Sequence, residues 1–588
     1  MPLCFAEKDE ESDMRNLGFS RRSFLTGTLG AGGFVSASAL FSCVDLGLAA
    51  SGPRRRRMRS LDALLERQVV VWRPEGRFTK NPELIRFPSG KMMLVYNDCE
   101  RHWPQETTRI TTLESLDGGK TWGNPQLVSE ADKRKGQERW VTPRLNRLRD
   151  GRLVIICDQN DFSHVHEDQP PGIWIWFSLD EGRSWSEPRL TGVPGFEPDR
   201  IVELGDGTLL MASQVYFKAT RKLGVFVMRS TDRGTTWKDR KIIASDVVHH
   251  HTEEAIVVLS DGALGCVMRE SNHHGYPSYL SLSSDGGRSW SRPEPLPFAG
   301  DRPYAKQLRG GQVLITYRNQ SGNRGTHAWI GDLRRNPGFK VGGVHYHDKV
   351  MLSSGELSIE GVRDSETRYI LLPPENFRSD LFLEATLRVA GPADQPIASL
   401  EIGRLERRLD VCSNGLWLYA PKRDLGRDRA SGERIDLIHR VDMTKPRSVQ
   451  LRARKGLFTV EVDGKVVLSR ALYNDFPLQE TWFGQAAKGS GKSWWRRLAY
   501  QVTNETEPDH RWEWQAQQGE HPDQYQLDHM LELHANPPSA GHRPDNGYSS
   551  WVELEAGGIF MVDYSNRGDP PPGSHLYGVY FSPEDFRL

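Results

Sequence analysis

The sequence has 588 residues, with 77 Lys and Arg against 77 Asp and Glu, so its formal charge at neutral pH is zero. This balance lacks the basic excess of nucleic-acid-binding proteins, and we expect no nucleic acid as partner. Past the first 50 residues no apolar run approaches the ~18 residues of a membrane-spanning helix, so the rest of the chain is not predicted to cross a membrane.

The N-terminal segment has the pattern of a twin-arginine export signal. Ser20-Arg21-Arg22-Ser23-Phe24-Leu25 precedes an apolar stretch rich in Gly and Ala over residues 26–50. Residues 1–50 are therefore predicted to engage the Tat export machinery, which gives a periplasmic or secreted protein. Two endings remain open: ordinary cleavage after residues 47–49, or lipidation of Cys43 as a membrane anchor. Residues 51–69 are interpreted as a basic linker.

The octet Ser-x-Asp-x-Gly-x-(Ser/Thr)-Trp then occurs four times. The copies are Ser115–Trp122, Ser178–Trp185, Ser230–Trp237 and Ser283–Trp290, and their aspartates are 63, 52 and 53 residues apart. A repeat period near 50 indicates a propeller or an array. Within each copy we expect Asp to accept hydrogen bonds from nearby backbone N–H groups, Gly to adopt a positive φ, and Trp to fill the gap between neighbouring sheets.

A second pattern recurs as two short apolar runs about a Gly turn, which predicts a β-hairpin. Its copies are Pro82–Tyr96, Pro143–Cys157, Pro198–Ala212, Glu254–Met268, Pro303–Tyr317 and Tyr548–Tyr564. With the strands joined by each octet, this gives about four strands per unit and six units. The fold class is therefore predicted to be all-β, a six-bladed β-propeller.

The octets and hairpins together resemble the sialidase (neuraminidase) superfamily, whose repeat is called the Asp box or BNR repeat. The resemblance covers about residues 70–335 and 510–588. It implies a propeller that carries glycoside hydrolase activity, although Asp boxes also occur in propellers with other activities.

Residues between the fifth and sixth hairpins have a different pattern. Leu381–Val389, Ser448–Arg454 and Phe458–Leu468 alternate apolar and polar residues, with Asp463-Gly464 as a hairpin turn. This pattern resembles laminin G/concanavalin-like jelly-roll modules, and predicts a β-sandwich inserted before the last blade. The predicted domains are 70–339 for blades one to five, 340–505 for the insert and 506–588 for the last blade. The insert is interpreted either as a carbohydrate-binding module or as a spacer; its candidate sugar-stacking residues are Trp417, Trp482, Trp494 and Trp495.

The inner strands of a propeller converge on one axis, so their ends form a shared funnel where we expect the site. The slots before the inner strands hold Lys80, Arg144, Asp199, Arg200, Glu253, Glu254, Arg302 and Tyr548. The slots after the second strands hold Asp98, Glu100, Arg101, Asp158, Gln214, Arg269, Arg318 and Asp563. Charged groups crowded in a partly dry funnel shift one another's pKa values, as acid/base catalysis requires.

The sialidase resemblance assigns roles to some of these positions. Gly547-Tyr548-Ser549-Ser550 is similar to the motif of the nucleophilic tyrosine, and Glu253, with Glu254 as alternative, to the glutamate that activates it. Arg269 and Arg302 resemble the second and third arginines that bind a substrate carboxylate. Lys80-Asn81-Pro82 stands where the family has Arg-Ile-Pro.

The acid/base aspartate expected before the first Asp box is missing, and the nearest acids are Asp98, Glu100 and Glu106. Arg101, Arg144, Arg200 and Arg318 complete the predicted substrate-binding set.

Three functions follow as hypotheses. The first is a glycoside hydrolase acting on sialic acid or another acidic sugar. The second is a polysaccharide lyase acting on uronate-containing polymers, with Tyr548, His102 and Lys80 as proton-transfer groups and arginine neutralising the carboxylate. The third is a non-catalytic glycan-binding propeller with a lectin-like insert.

No cofactor or metal is predicted. His249-His250-His251 and His273-His274 are candidate ligands, but adjacent strand residues face opposite ways. Cys99, Cys157 and Cys266 occupy equivalent places in three blades and, with Cys412, are predicted to be buried thiols rather than disulfides.

Overall fold

The computed structural model describes residues 58–587 except 104, 160–165, 272–276, 320–322, 346–348, 354, 362–366, 372–377, 394, 404–406, 422–431, 472–479, 486–489, 506–507 and 538–541. The predicted export signal, Cys43, residues 51–57 of the predicted linker and His273-His274 lie outside the described residues. No helix in this described part is both long enough and apolar enough to cross a membrane.

Six sheets form the propeller, and we number its blades in chain order. The described chain opens with β1 (Arg59–Ser60) and β2 (Gln68–Trp72). Blade 1 comprises β3 (Phe78–Arg86), β4 (Met92–Cys99), β5 (Thr107–Ser115) and β6 (Gly123–Asp132). Blade 2 comprises β7 (Arg144–Arg147), β8 (Leu153–Asp158), β9 (Ile173–Ser178) and β10 (Arg189–Leu190). Blade 3 comprises β11 (Val202–Glu203), β12 (Leu209–Phe217), β13 (Lys222–Ser230) and β14 (Lys238–Ala244).

The remaining blades use strands that are distant in the chain. Blade 4 comprises β15 (His251–Val258), β16 (Leu264–Glu270), β17 (Tyr279–Ser283) and β18 (Glu294–Pro295). Blade 5 comprises β19 (Gly300–Gln307), β20 (Val313–Asn319), β21 (Gly325–Gly331) and, after the insert, β37 (Met530–Ala535), with β1 pairing parallel to β37. Blade 6 comprises β38 (Asn546–Glu553), β39 (Ile559–Ser565), β40 (His575–Phe581) and β2.

The first strand of each blade lines the centre of the ring. β3 contacts β7 on one side and β38 on the other, and β19 contacts β15 and β38 in the same way. The prediction of a six-bladed β-propeller is thus confirmed. Because β2 supplies the outer strand of blade 6, the N-terminal and C-terminal parts of the described chain close the ring together.

Strand pairing differs from the domain boundaries drawn from the sequence. β2 belongs to blade 6, although its first residues were assigned to the 51–69 linker. β37 completes blade 5, so the inserted segment leaves the propeller between the third and fourth strands of that blade. These strands carry no Asp box, which explains why the hairpin pattern alone did not assign them.

The Asp boxes make the predicted contacts. In the first copy, Asp117 Oδ1 accepts the Thr121 N–H at 2.9 Å, Oδ2 accepts the Thr121 hydroxyl at 2.6 Å, and Ser115 Oγ accepts the Gly119 N–H at 2.9 Å. These donors, of which the Thr121 hydroxyl is the strongest, lower the pKa of Asp117 to about 2. Trp122 stacks on Phe560 of blade 6, with ring centroids 6.1 Å apart, and so fills the space between two blades.

Residues 342–515 form two further sheets. One contains β22 (Gly342–His345), β25 (Thr367–Leu371), β27 (Ala398–Glu401), β28 (Arg408–Cys412), β29 (Gly415–Pro421), β30 (Gly432–Arg440) and β34 (Thr481–Gln485). The other contains β23 (Val350–Ser353), β24 (Glu356–Glu360), β26 (Asp380–Ala390), β31 (Arg447–Arg454), β32 (Leu457–Val462), β33 (Lys465–Ala471), β35 (Lys492–Thr503) and β36 (His510–Gln515). Leu400 and Phe483 of the first sheet share one core with Leu383 and Leu451 of the second.

Two of the four candidate stacking tryptophans are buried. Trp495 is fully buried in the shared core, and Trp482 packs with Ile370 and with Ala299 of the propeller. Trp494 lies on the sheet surface, with the Arg388 guanidinium 3.9 Å from its ring centroid, and Trp417 is half-buried. Asp463 and Gly464 both have positive φ, as expected for the predicted hairpin turn.

The short helices are α1 (Gln524–His529) and the 3-10 turns Leu65–Arg67, Lys133–Lys135, Leu333–Arg335, Ala516–Gln518 and Pro583–Phe586. Cys99, Cys157, Cys266 and Cys412 are free and buried, as predicted.

Candidate active site

In five of the six blades the inner strand, or in blade 3 the segment that leads into it, has the same distortion. Each has one non-glycine residue with φ between 44° and 61°, followed by a second residue that the neighbouring strand does not pair: Asn81, Glu197, Glu253, Arg302 and Tyr548 are the residues with positive φ. A left-handed conformation costs an L-residue about 1–2 kcal/mol. Such strain clusters at functional sites, and here four of the five side chains meet in one group.

Tyr548 lies at the centre of that group. Its hydroxyl is 3.2 Å from Glu197 Oε1 and 3.4 Å from Glu253 Oε1. The Arg302 guanidinium lies 5.1 Å from the centroid of its ring. Burial, followed by the charges of Glu197 and Glu253, raises the pKa of Tyr548 well above its usual value, so the resting phenol keeps its proton.

The two carboxyl groups have different environments. Burial and the charge of Glu253 raise the pKa of Glu197. For Glu253 burial also opposes ionisation, but the charges of Arg269, Arg318 and Arg302 outweigh it and lower the pKa. A pair of carboxyls with pKa values pushed apart has one proton to donate and one site to accept a proton. Of the two, Glu253 is therefore the stronger acid, and Glu197 keeps its proton to higher pH.

Gln214 holds both glutamates in place. Its Nε2 donates to Glu197 Oε2 at 3.0 Å, and its Oε1 accepts the backbone N–H of Glu253 at 2.6 Å. The side chain is 1% exposed. Because β12 supplies Gln214 between the two bulged positions, this amide fixes the distance between blades 3 and 4 at the site.

Arg269 and Arg318 form a pair joined by Asp301. Arg269 Nε is 2.7 Å from Asp301 Oδ1, and Arg318 Nη2 is 2.8 Å from Oδ2. Arg269 Nη1 also lies 2.9 Å from Glu253 Oε1. The Arg318 side chain passes over Gly547, where an added Cβ would lie 3.2 Å from it. About a quarter of each arginine side chain is exposed, and Arg318 Nη1 also donates to the backbone carbonyl of Asn546 at 3.2 Å.

Arg302 is placed differently from its predicted role in a carboxylate clamp. Its guanidinium donates to the backbone carbonyls of Glu197 and Pro198, both at 3.1 Å, and the residue is 2% exposed. Its backbone N–H donates to Glu253 Oε2 at 2.8 Å. Arg302 thus contacts Glu197, Glu253 and the Tyr548 ring. The arginine that shares a partner with Arg269 is Arg318, not Arg302.

Four further predicted residues lie in blade 1 outside this group. Asp98 pairs with Arg77 at 2.7 Å, and Glu100 accepts the Thr107 backbone N–H at 3.0 Å. Glu106 and Arg101 are exposed. None of these four is within hydrogen-bond distance of Tyr548, Glu197 or Glu253 in the contacts between described residues. The predicted alternatives for the acid are therefore not placed beside the phenol.

Lys80 is 7% exposed and lies in β3 opposite Asn97. It immediately precedes the bulge of blade 1.

Arg144 and Arg200 are buried deeper along the propeller axis. Arg144 Nη1 pairs with Glu83 at 3.0 Å, and Arg200 Nη2 donates to the carbonyl of Ala305 at 2.6 Å. Glu254 lies at the same depth with neither carboxyl oxygen hydrogen-bonded among the described residues. Burial raises the pKa of Glu254 to about 8. These buried side chains are here called the floor of the site.

His102, the proton-transfer group of the lyase hypothesis, has a carboxylate partner. Its Nδ1 lies 2.6 Å from Asp545 Oδ2, and Asp545 Oδ1 accepts the Tyr564 hydroxyl at 2.6 Å. The Tyr564 ring lies 6.3 Å from that of Tyr548. His102 therefore reaches the Tyr548 group only indirectly, through Asp545 and then the Tyr564 ring.

Sequence reasoning missed Glu197 and the linking role of Asp301. The hairpin pattern predicts the slots of blades 2 and 3 just after proline, at Arg144, Asp199 and Arg200. In the structure the bulged residue immediately precedes proline, as in Asn81-Pro82, Glu197-Pro198 and Arg302-Pro303. That Xaa-Pro position is the signal that finds Glu197.

Strand alternation separates His250 from its neighbours, but it brings His249 and His251 to the same side. Both contact Asp246, with Asp246 Oδ2 3.1 Å from His249 Nδ1 and 2.9 Å from His251 Nε2.

The fold and this geometry define a six-bladed Asp-box propeller with a tyrosine, two glutamates and two arginines at its axis. A family model described as a BNR repeat-like domain matches residues 120–337. Over this range the chain is similar to proteins of the sialidase/BNR-repeat superfamily.

Among curated proteins, the chain is 22% identical over 208 residues to sialidase-2 of Mus musculus, which covers 31% of this chain and 54% of that protein. The chain thus spans about half the length of this relative.

Solved structures with a similar fold include a protein of unknown function from Dyadobacter fermentans, at 18% identity over 53% of this chain and 95% of that one, with TM-score 0.40. Trypanosoma rangeli sialidase is 14% identical over 73% and 91%, with TM-score 0.33. The α-L-arabinanase of Penicillium chrysogenum, complexed with arabinobiose, is 15% identical over 52% and 94%, with TM-score 0.35. These likenesses bear on neither the substrate nor the roles of residues.

Proposed function

We propose that the protein is a glycoside hydrolase that cleaves a terminal acidic sugar, sialic acid or a related one, through a tyrosine nucleophile. The observation that carries the proposal is the contact of the Tyr548 hydroxyl with two carboxyl groups, Glu253 and Glu197. The pKa of Glu253 is lowered and that of Glu197 is raised. A glycosidase needs a nucleophile, a group that accepts a proton and a group that donates one, and these three residues supply them.

In the proposed first step, the Tyr548 oxygen attacks the anomeric carbon while its proton passes to the Glu253 carboxylate. The glycosidic C–O bond breaks, and Glu197 gives its proton to the leaving oxygen. Water then attacks the anomeric carbon of the glycosyl-tyrosine, its proton returns to Glu197, and Glu253 returns the first proton to the phenolate. Both carboxyls thereby recover their starting states.

Arg269 and Arg318 are proposed to bind the sugar carboxylate at the funnel side of Asp301. Both side chains are partly exposed and share Asp301 as a partner, and guanidinium groups bind carboxylates through paired hydrogen bonds. Lys80 is proposed as the third cation of this clamp. Asp301 already neutralises part of the arginine charge, so the affinity for an anion is expected to be moderate.

The test is turnover of a panel of 4-methylumbelliferyl glycosides that includes the α-sialoside, by wild type, Tyr548→Phe and Tyr580→Phe. Tyr580 is in the same blade, where its hydroxyl donates to the carbonyl of Gly118 at 2.9 Å, far from the site. We expect cleavage that Tyr548→Phe reduces at least ~10³-fold and that Tyr580→Phe leaves unchanged.

Other results would replace the proposal. Release of an unsaturated uronate from uronate polymers, with no glycoside cleaved, would favour the lyase. Glycan binding without turnover, unchanged in Tyr548→Phe, would favour a binding propeller.

We also propose that the protein is exported through the twin-arginine pathway, supported by Arg21-Arg22 and the apolar segment after them. Replacing both arginines by lysine is expected to retain a fused reporter in the cytoplasm. The insert is proposed as a carbohydrate-binding module, for which Trp494 and Trp417 remain the candidate contacts.

A further inference from the structure

Asp246, His249 and His251 form a cluster, here called the His–Asp cluster, that the proposed hydrolysis does not use. Asp246 and His249 lie in the connection between β14 of blade 3 and β15 of blade 4, and His251 is the first residue of β15. One oxygen, Asp246 Oδ2, faces both imidazoles, at 3.1 Å from His249 Nδ1 and 2.9 Å from His251 Nε2. All three atoms lie within 4.8 Å of one another.

Local backbone geometry brings the three side chains together. His249 and His251 are two residues apart in an extended segment, so their side chains point to the same side. Asp246 Oδ1 accepts the backbone N–H groups of Val248 and His249, both at 2.7 Å, which directs Oδ2 toward the rings. The orientation of the carboxylate is thus fixed before any ligand binds.

The surroundings are those of a metal-ligand set. His249 Nε2 lies 3.0 Å from the Tyr279 hydroxyl, which holds the ring from behind as outer partners hold ligating histidines. His249 and His251 are 4% and 0% exposed, whereas 39% of the Asp246 side chain is exposed. The protein therefore closes one side of the cluster and leaves the other open to solvent, from which an ion and a water ligand can enter.

We propose that Asp246, His249 and His251 bind one divalent first-row transition metal ion of the zinc class. Two imidazole nitrogens and one carboxylate oxygen are ligands that these ions prefer, and three protein ligands leave a position for water. Ligand atoms in a zinc site lie about 2.0–2.2 Å from the ion, so the three atoms need only small movements to enclose it.

The position suggests a structural consequence. His251 is the first residue of β15, and Glu253 of the active site follows two residues later. An ion at the cluster ties the start of β15 to the end of blade 3. Binding of the ion should therefore raise the temperature of unfolding by mass action, whether or not the active site is occupied.

The test uses the full chain without a polyhistidine tag, freed of metal by chelator and titrated with Co²⁺. Wild type is expected to bind one Co²⁺ per chain with visible absorption bands, and Zn²⁺ is expected to displace it. His249→Gln and Asp246→Asn should each weaken Co²⁺ binding at least 10-fold. Asp246→Asn retains the oxygen that accepts the two backbone N–H groups, so the turn is preserved.

His250→Gln is the matched control, because His250 is in the same segment but its Nδ1 accepts the Leu223 N–H on the other side. It should bind Co²⁺ as wild type does. Circular dichroism checks that each variant is folded. No Co²⁺ bound by folded wild type, or equal loss in His250→Gln and His249→Gln, would overturn the proposal. Binding that survives in both cluster variants would equally overturn it, since the ion would then lie elsewhere, for example at His273-His274.

Discussion

The Tyr548 hydroxyl lies 3.2 Å from a carboxyl oxygen of Glu197, although 351 residues separate the two in the chain. The propeller makes this contact possible because the inner strands of all blades surround one axis, so residues at their starts come close together. Blade 3 and blade 6 thereby contribute to the same proton-transfer group. Burial raises the pKa values of both groups. The contact of Tyr548 with Glu197 is the part of the site that the sequence did not predict.

Glu197→Gln tests the role of this residue as proton donor. Because the pKa of Glu197 is raised, wild-type kcat should fall as pH rises through that value and the donor loses its proton. The variant should lose ~10²-fold or more in kcat, and this basic limb should disappear from its pH profile. Glu203→Gln, in the same blade, is the control. An unchanged basic limb in Glu197→Gln would assign the donor elsewhere.

Asp301→Asn tests how the arginine pair is balanced. Removing one charge leaves Arg269 and Arg318 with less compensation, and breaking such a buried pair costs about 3 kcal/mol. We expect a lower Tm for the variant and a larger stabilisation by N-acetylneuraminic acid than in wild type, because the ligand carboxylate replaces the lost charge. Equal stabilisation by the uncharged sugar N-acetylglucosamine would contradict a carboxylate-binding role for the pair.

Glu254→Gln tests the buried carboxyl on the floor of the site. In the folded protein the pKa of Glu254 is about 8 against its usual 4.5, so the folded state binds more protons between these pH values. The free energy of unfolding should therefore fall as pH rises through this window, by at most about 1.4 kcal/mol per pH unit from this group. Thermal melts from pH 5 to 8 should show a weaker decline in Glu254→Gln than in wild type. The same decline in both would place the titration on another group.

The segments whose structure depends on hydrogen bonds between near neighbours in the chain were the most predictable part of the molecule. Each Asp box closes on itself within seven residues, so its sequence determines its structure, and the six hairpins about Gly turns gave the number of blades. The outer strands β2 and β37 were not assigned, because their pairing partners come from the far end of the chain or from across the insert.

The candidate site was predicted in part for a related reason. Tyr548, Glu253 and Arg269 follow local motifs, and the structure brings them together. Arg302 and Arg318 were both expected at the funnel, but only the three-dimensional contacts distinguish the buried guanidinium from the open one. Glu197 was missed because a bulge shifts the residue that faces the axis by two positions, and bulges leave little trace in hydrophobic alternation.

The most direct test of the account is to trap the covalent intermediate on Tyr548. The wild type is incubated with 2,3-difluorosialic acid, or with the 2-fluorinated analogue of whichever panel glycoside it cleaves, and the peptides are analysed by mass spectrometry. We predict one glycosyl adduct per chain on the peptide containing Tyr548, absent in Tyr548→Phe and present in Tyr580→Phe. An adduct on the peptide containing Glu197 or Glu253 would contradict a tyrosine nucleophile, as would full turnover by Tyr548→Phe.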